Sequence, residues 1–241
     1  MKQLIFLVMA VFFVGCSGSA IKEQKFLGVN GSPKSIKDTK YEAVEKFGEV
    51  IEQDVDEVLC YEFDKHGFVQ KMVYYNSDGD VNFSVTNTFE NGKCIENKSY
   101  QKYNDLTTTS TLKNRTSKSE IWESTTSDGK TTTQYSEIEN LKTTMIVKDS
   151  DDNAVSKVEL IRDNKGNIVE YKVYNEEKVV YWYKSTFNEK SQEVERKMLS
   201  GYDEGIYTYK YDSFDKKRNW TKKVEYKDGE IESLTIREIT Y

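Results

Sequence analysis

Short turn-forming sequences recur at regular intervals from about residue 60 to the end of this 241-residue chain. The clearest are segments 76–79, 90–92 and 227–229, which end in Asn-Gly or Asp-Gly. Such dipeptides tolerate the positive φ that a tight hairpin turn requires. Successive turns lie about 11–14 residues apart, which leaves about 8–10 residues for each strand. This spacing predicts a series of consecutive antiparallel hairpins.

The segments between the turns alternate with a period of two. Apolar positions in one segment are Val81, Phe83 and Val85, and in another Tyr207, Tyr209 and Tyr211 share a face. A helix would show a period of 3.6 instead. Because Pro33 is the only proline, nothing interrupts the predicted strands. We therefore predict an all-β fold, a single antiparallel meander of about 14–16 strands that forms a curved or single-layer sheet.

Two regions depart from the clear alternation. Residues 38–59 fit one face of a helix with Asp38 as its cap, but Phe47-Gly48 is typical of a turn, so we predict strand–turn–strand there. Residues 104–147 are rich in Thr and Ser and have little apolar material. This composition predicts strands wetted on both faces, or an exposed edge of a curved sheet.

The N-terminus has the features of a secretory signal. Lys2 precedes an apolar run over residues 4–14, which is too short to span a bilayer, since a spanning helix needs roughly 20 residues. The run ends at Gly15-Cys16, which resembles a lipobox, where the cysteine is acylated. We therefore expect a signal peptide over 1–15 and lipid attachment (palmitate among the acyl chains) at Cys16. A linker over 16–32 and a β-meander repeat domain over 33–241 would follow.

The residue after the cysteine, Ser17, favours the outer membrane of a gram-negative bacterium by the usual sorting pattern of lipoproteins. No acidic run follows it, so a periplasm-facing tether is expected. The lipid-anchored protein would then contact the membrane through Cys16 alone.

The charge of the chain argues against nucleic acid as a partner. Loss of residues 1–15 removes Lys2 and leaves 34 of the 35 basic residues against 41 acidic ones, and the charges are well mixed. His66 is the only histidine, which argues against a metal site or a catalytic triad built on histidine. The acidic segment 149–153 lacks the spacing of an EF-hand loop and is ordinary turn chemistry, although calcium is an alternative. We predict no cofactor, no metal site, no catalytic residues and no enzymatic activity.

Two cysteines remain in the predicted domain, Cys60 and Cys94. In the predicted strand order they lie three strands apart, roughly 14 Å at the usual strand spacing. A disulfide needs Cα atoms within about 7 Å. We therefore predict two free thiols, mostly packed against neighbouring side chains.

Several segments resemble the YD repeat of RHS-type proteins. These are Tyr61–Val69, Arg162–Val169 and Tyr209–Asp212, and the segment Arg218–Val224 is similar to the ending of YD-repeat-like bacterial lipoproteins, with Arg218 in place of a glycine. The resemblance covers most of residues 55–241 as degenerate copies. It implies hairpins rather than chemistry, and it raises the hypothesis of an immunity or accessory protein for an RHS-type toxin.

Aromatic residues concentrate in the C-terminal third of the chain. The candidate binding face consists of Tyr181, Trp182, Tyr183, Tyr207, Tyr209, Tyr211 and Trp220. Tyrosine and tryptophan offer contact area with a polar tip, although cross-strand pairs that only stabilise the sheet are the simpler interpretation. The leading hypothesis is a non-catalytic envelope lipoprotein that binds or scaffolds a partner, protein or glycan, through its sheet face. The alternatives are a glycan-binding module that uses these aromatics and, least favoured, a hydrolase with acidic catalysts.

Overall fold

The computed structural model describes residues 27–201 and 203–241. The predicted signal peptide, Cys16 and most of the predicted linker lie outside these residues. The strands are β1 (Ser35–Lys46), β2 (Glu49–Phe63), β3 (Val69–Tyr75), β4 (Val81–Glu90), β5 (Lys93–Gln101), β6 (Leu106–Arg115), β7 (Ser119–Thr126), β8 (Thr131–Glu139), β9 (Lys142–Lys148), β10 (Ala154–Arg162), β11 (Ile168–Asn175), β12 (Lys178–Phe187), β13 (Glu193–Ser200), β14 (Gly205–Tyr211), β15 (Lys222–Lys227) and β16 (Glu230–Thr240). A single 3-10 turn (Lys102–Asn104) joins β5 to β6. In the described part of the chain, no helix is long and apolar enough to cross a membrane.

The sixteen strands of the described residues follow one another in antiparallel order, which confirms the predicted meander. The prediction of a curved or single-layer sheet did not specify whether the sheet closes, and the strand order is that of a closed barrel. β1 pairs with β2 on one side and with β16 on the other, where Asp38 lies opposite Arg237. An unpaired edge strand exposes a row of backbone donors and acceptors, and this pairing satisfies them. The local sequence pattern specifies the hairpins but contains no signal for a contact between the two ends of the domain.

The ambiguous residues 38–59 form two strands, as predicted. β1 and β2 are joined by Phe47 and Gly48, both with positive φ (55° and 81°), and Lys46 pairs with Glu49 across the turn. Two consecutive residues with positive φ are typical of the two-residue hairpin turn whose twist matches that of the strands. The turn chemistry therefore prevails over the helical spacing of the apolar residues.

The segments that resemble YD repeats place an aspartate at the start of a hairpin loop. Asp163 Oδ1 accepts hydrogen bonds from the backbone N–H groups of Lys165 (2.8 Å) and Asn167 (2.9 Å). The same pattern occurs at Asp64 and at Asp215, which lies just after the third segment and is not that segment's own aspartate, Asp212. The fourth residue of these three loops has positive φ and is Gly67, Gly166 or Arg218. The recurring aspartate and glycine therefore build turns, because a carboxylate can bond to backbone groups two and four residues ahead.

The chain divides into two compact units. Unit 1 contains residues 83–182 and unit 2 contains residues 27–82 and 183–241. In unit 1 the Thr/Ser-rich strands β6–β9 bury one face, contrary to the prediction that they are wetted on both sides. That face includes Ser110, Glu120, Trp122, Gln134, Ser136, Thr143 and Met145. Short polar side chains on this face can form hydrogen bonds with each other. The hydroxyls of Ser110 and Ser124, for example, are hydrogen-bonded at 2.8 Å.

A buried carboxylate lies at the centre of this face of unit 1. Glu120 Oε1 accepts a hydrogen bond from Arg115 Nε (2.7 Å), and Glu120 Oε2 accepts one from Trp122 Nε1 (3.0 Å). Arg115 Nη2 also donates to the backbone carbonyl of Cys94 (3.1 Å). Both carboxylate oxygens therefore have donors, and Trp122 is 0% exposed. The Cys94 thiol packs in the same cluster and is free, as is that of Cys60 in unit 2, as predicted.

Candidate functional site

Three of the candidate aromatic residues share one face of unit 2. Tyr207, Tyr209 and Tyr211 alternate along β14, and in the ladder with β15 Tyr209 lies opposite Glu225 and Tyr211 opposite Lys223. Residues that lie opposite each other in a ladder point to the same face. We call this face of unit 2 the tyrosine face. It carries Asp38, Arg196, Tyr207, Tyr209, Tyr211, Lys223, Glu225 and Arg237.

The remaining candidates are distributed differently. Tyr181 and Trp182 belong to unit 1, where the ring of Tyr181 contacts that of Tyr171 edge-on, with centroids 6.1 Å apart. Trp182 follows Tyr181 directly and so points to the other face of β12. Its indole N–H donates to Glu170 Oε1 (2.9 Å), and the ammonium of Lys172 lies 4.7 Å from its ring centroid. The structure therefore does not bring all seven predicted residues onto one face.

Arg196 lies among the rings of the tyrosine face. Its guanidinium is 4.8 Å from the ring centroid of Tyr183 and 6.0 Å from that of Tyr209. Nε and Nη2 donate to the two carboxylate oxygens of Glu193, at 2.9 and 2.7 Å. Burial lowers the pKa of Arg196, but the nearby Glu193 outweighs burial and the pKa is raised. This arginine is therefore neutralised by its own carboxylate.

Arg237 forms a second closed pair on this face. Its Nε and Nη2 donate to the two oxygens of Asp38, at 2.7 and 2.6 Å. The guanidinium lies 3.7 Å from the ring centroid of Trp220, which is only 7% exposed. Trp220 therefore offers no open ring surface on which a sugar could stack.

Lys223 lies between the rings of Tyr209 and Trp220. Its ammonium nitrogen is 5.2 Å from the centroid of Tyr209 and 5.7 Å from that of Trp220. Within the described residues, no carboxylate lies within 4.0 Å of this nitrogen and no protein group accepts a hydrogen bond from it. Burial lowers the pKa of Lys223, and the attraction of Glu225 and Asp38 does not restore it. The charge of this lysine is thus compensated mainly by aromatic rings.

Water nevertheless reaches these charged groups. The Arg196 side chain keeps 33% of its surface accessible, although burial is the largest single influence on the pKa of its guanidinium. Lys223 combines partial exposure with a pKa governed by burial in the same way. The tyrosine face therefore combines partly exposed charged groups with aromatic side chains.

The tyrosine hydroxyls of this face are neutral. Burial raises the pKa of Tyr209 and of Tyr211, so both stay protonated at neutral pH. The Tyr211 hydroxyl donates to the backbone carbonyl of Glu193 (2.9 Å), which fixes its ring against β13.

Sequence reasoning missed the cations of this site. The alternation around β15 only separates Lys223 and Glu225 from Trp220, Val224 and Tyr226. The register with Tyr209 and Tyr211 was the missing information, because it assigns Lys223 and Glu225 to the aromatic face.

The acidic segment 149–153 is a hairpin loop. Asp149 Oδ1 accepts hydrogen bonds from the backbone N–H groups of Asp151 (3.0 Å) and Asn153 (2.9 Å), and Lys148 pairs with Asp152. These bonds hold the loop in a turn. Over the ranges that the structure covers, no group of three or more His, Cys, Asp or Glu side chains is placed to hold a metal ion.

The comparisons with known proteins give a fold but no family. No family model matches the chain, and no curated protein matches it. A porin-like protein from Bacteroides uniformis is similar in structure, with a TM-score of 0.51 at 10% identity over 86% of this chain and 97% of that chain. A DUF1329 family protein from Desulfovibrio piger aligns with a TM-score of 0.25 at 10% identity, over 86% of this chain and 84% of that chain. The first likeness supports the strand architecture alone, and the resemblance to YD repeats stays a prediction.

Proposed function

We propose that this chain is a non-catalytic, lipid-anchored protein of the cell envelope that binds a small polar ligand on its tyrosine face. The observation that carries the proposal is Lys223, a partly buried ammonium that has rings for neighbours and no carboxylate partner. A charge withdrawn from water without a partner lowers stability, and an apolar residue of similar size would pack there at less cost. Residues that oppose stability in this way are characteristic of binding sites.

The anchor is a separate part of the proposal. Cys16 would carry the acyl chains and hold the domain at the outer membrane, facing the periplasm. The likeness to a porin-like protein is compatible with a location in the cell envelope. Incorporation of labelled palmitate by the full chain, and its loss in Cys16→Ala, tests the anchor independently of ligand binding.

Glycan binding is the alternative function that would use the aromatic rings of the site. The two tryptophans of the candidate binding face, Trp182 and Trp220, belong to different units. Each already has a cation against its ring, Lys172 for Trp182 and Arg237 for Trp220. A sugar on the tyrosine face would therefore depend on hydrogen bonds rather than on stacking against these rings. The immunity role and the acidic hydrolase have no supporting contact in the described residues.

Calorimetric titration of the mature chain, residues 16–241 with Cys16→Ser, tests ligand binding. The probes are glucose, N-acetylglucosamine, norleucine and inorganic phosphate, each at up to about 10 mM, where millimolar dissociation constants are measurable. We expect saturable binding of at least one probe, weakened at least tenfold in Lys223→Met.

The matched control for this titration is Lys197→Met. Lys197 is another strand lysine of unit 2, but it is exposed and pairs with Glu195. Binding should be unchanged in this variant. The proposal fails if none of the probes binds saturably, or if Lys223→Met and Lys197→Met behave alike.

A further inference from the structure

Lysine and glutamate lie two residues apart at seven places in the described strands. Four of these pairs close into an ion pair, with Nζ to Oε1 distances between 2.8 and 3.9 Å. They are Glu96/Lys98, Lys157/Glu159, Glu170/Lys172 and Glu195/Lys197. Two residues along a strand return to the same face, so the side chains can meet.

Lys223 and Glu225 have the same spacing on β15 but remain apart. Neither makes an ion pair or a hydrogen bond through its charged group with any residue that the structure describes. Attraction between opposite charges is stronger where the surroundings are less polar than water. In the two other open pairs, Lys40/Glu42 and Glu225/Lys227, the lysine pairs with an aspartate instead, Asp56 or Asp203. Among the lysines of these seven pairs in the described residues, Lys223 is the one without a carboxylate within 4.0 Å.

The contacts of the tyrosine face explain how the pair is kept open. The ammonium of Lys223 is drawn toward the rings of Tyr209 and Trp220, and Tyr209 is the residue that faces Glu225 in the ladder. The two arginines cannot compensate Glu225, because Arg196 and Arg237 are held in bidentate pairs by their own carboxylates. Lys40, on β1 beyond β16, pairs with Asp56 at 3.2 Å, and Glu225 attracts it without forming an ion pair.

We propose that Lys223 and Glu225 together bind a zwitterionic ligand, an amino acid or a compound of that kind. The ligand carboxylate would accept from the ammonium of Lys223, and the ligand ammonium would donate to the carboxylate of Glu225. This inference rests on the proposed function, because it assumes that the tyrosine face holds a ligand.

Charge complementarity selects this class over a simple ion. An anion drawn to Lys223 is repelled by Glu225, and a cation drawn to Glu225 is repelled by Lys223. Only a ligand with both charges gains from both residues. The two positions are about 6.6 Å apart along the strand, which leaves room for two charged groups at hydrogen-bonding distance.

Three probes that share one carbon skeleton test the inference. Norleucine carries both charges, hexanoate lacks only the ammonium group, and pentylamine lacks only the carboxylate. In calorimetric titrations of the mature chain with Cys16→Ser, norleucine should bind at least tenfold more tightly than either single ion. Glucose is added as a neutral, hydroxyl-rich probe and should not compete.

Variants that remove one of the two charges should bind norleucine more weakly and one of the single ions more tightly. Glu225→Gln should weaken norleucine at least tenfold and improve hexanoate, because the repulsion of its carboxylate is gone. Lys223→Met should weaken norleucine and improve pentylamine. The matched controls are Glu195→Gln and Lys197→Met, which alter a closed pair of the same spacing in unit 2 and should leave all three affinities unchanged.

The outcomes separate this inference from the proposed function. If glucose or one single ion binds better than norleucine, and binding is lost in Lys223→Met, the tyrosine face is a binding site but the ligand class is wrong. Absence of norleucine binding at about 10 mM also overturns the zwitterion inference. If no probe in either panel binds, both proposals fail.

Discussion

The two units of this chain bury charge in opposite ways. In unit 1 the carboxylate of Glu120 is closed off, with Arg115 on one oxygen and the Trp122 indole on the other. In unit 2 the ammonium of Lys223 and the carboxylate of Glu225 lie on one face without partners among the described residues. A closed cluster specifies packing, whereas an open, partly exposed pair leaves both charges available to a ligand. The contrast predicts that removing charge should lower stability in unit 1 and raise it in unit 2.

The largest effect is expected from Glu120→Ala. Loss of this carboxylate leaves the Arg115 guanidinium buried without its partner, and breaking a buried pair from one side costs about 3–5 kcal/mol. The free energy of unfolding in urea measures this loss. The matched control is Glu123→Ala in the same strand, because Glu123 pairs with Lys113 but both side chains are 48% exposed. The control should cost less than about 1 kcal/mol, and equal losses in the two variants would contradict the account of unit 1.

Lys223→Met should have the opposite sign. It replaces a desolvated ammonium with an apolar side chain of similar length beside two rings. Such replacements are commonly neutral or stabilising, so we expect a gain of about 1 kcal/mol at pH 7. Urea unfolding measures the gain, with Lys197→Met as the exposed control, expected within about 0.5 kcal/mol of the parent. A loss of stability in Lys223→Met would show that the lysine is a structural residue.

The stability difference between the parent chain and Lys223→Met should depend on pH. Because the pKa of Lys223 is lowered in the folded state, the unfolded chain binds more protons between that pKa and the ordinary value near 10.4. The folded parent chain therefore gains stability as pH rises through this window, and Lys223→Met does not. The advantage of the variant should shrink between pH 7 and pH 10 in urea unfolding. A constant difference over this range would contradict the assigned direction of the pKa.

The smallest effect is expected in a turn outside both charged clusters. Arg218 has a φ of 65°, at the loop position where other repeats have glycine. Arg218→Gly removes the strain of a left-handed conformation and should stabilise by about 1 kcal/mol, a rise of about 2–4 °C in Tm. Gly79→Ala is the reverse test, since Gly79 has a φ of 80° and an added Cβ would meet open space. It should lower Tm by a similar amount, and no shift in either variant would contradict the turn assignment.

Local features of the fold were readable from the sequence. The hairpins follow from turn residues such as Asp64 and Gly67 and from the alternation of Tyr207 to Tyr211, because both signals act within a few residues. Closure was not readable, since the pair Asp38 and Arg237 is separated by 199 positions and no local pattern encodes it. Only part of the candidate site could be predicted from the sequence. The tyrosines were found, but Lys223 has the spacing of a solvated lysine and is distinguished only by its cross-strand neighbours.

Thermal unfolding of the parent chain and of Lys223→Met, each with and without about 10 mM norleucine, tests most directly whether Lys223 is retained for a ligand. A ligand that binds only the folded state raises Tm according to its concentration relative to the dissociation constant. We predict that Lys223→Met unfolds at the higher temperature without norleucine, and that norleucine raises Tm only in the parent chain. If norleucine leaves the parent unchanged, or stabilises both proteins equally, the open charge pair of the tyrosine face is not the binding site.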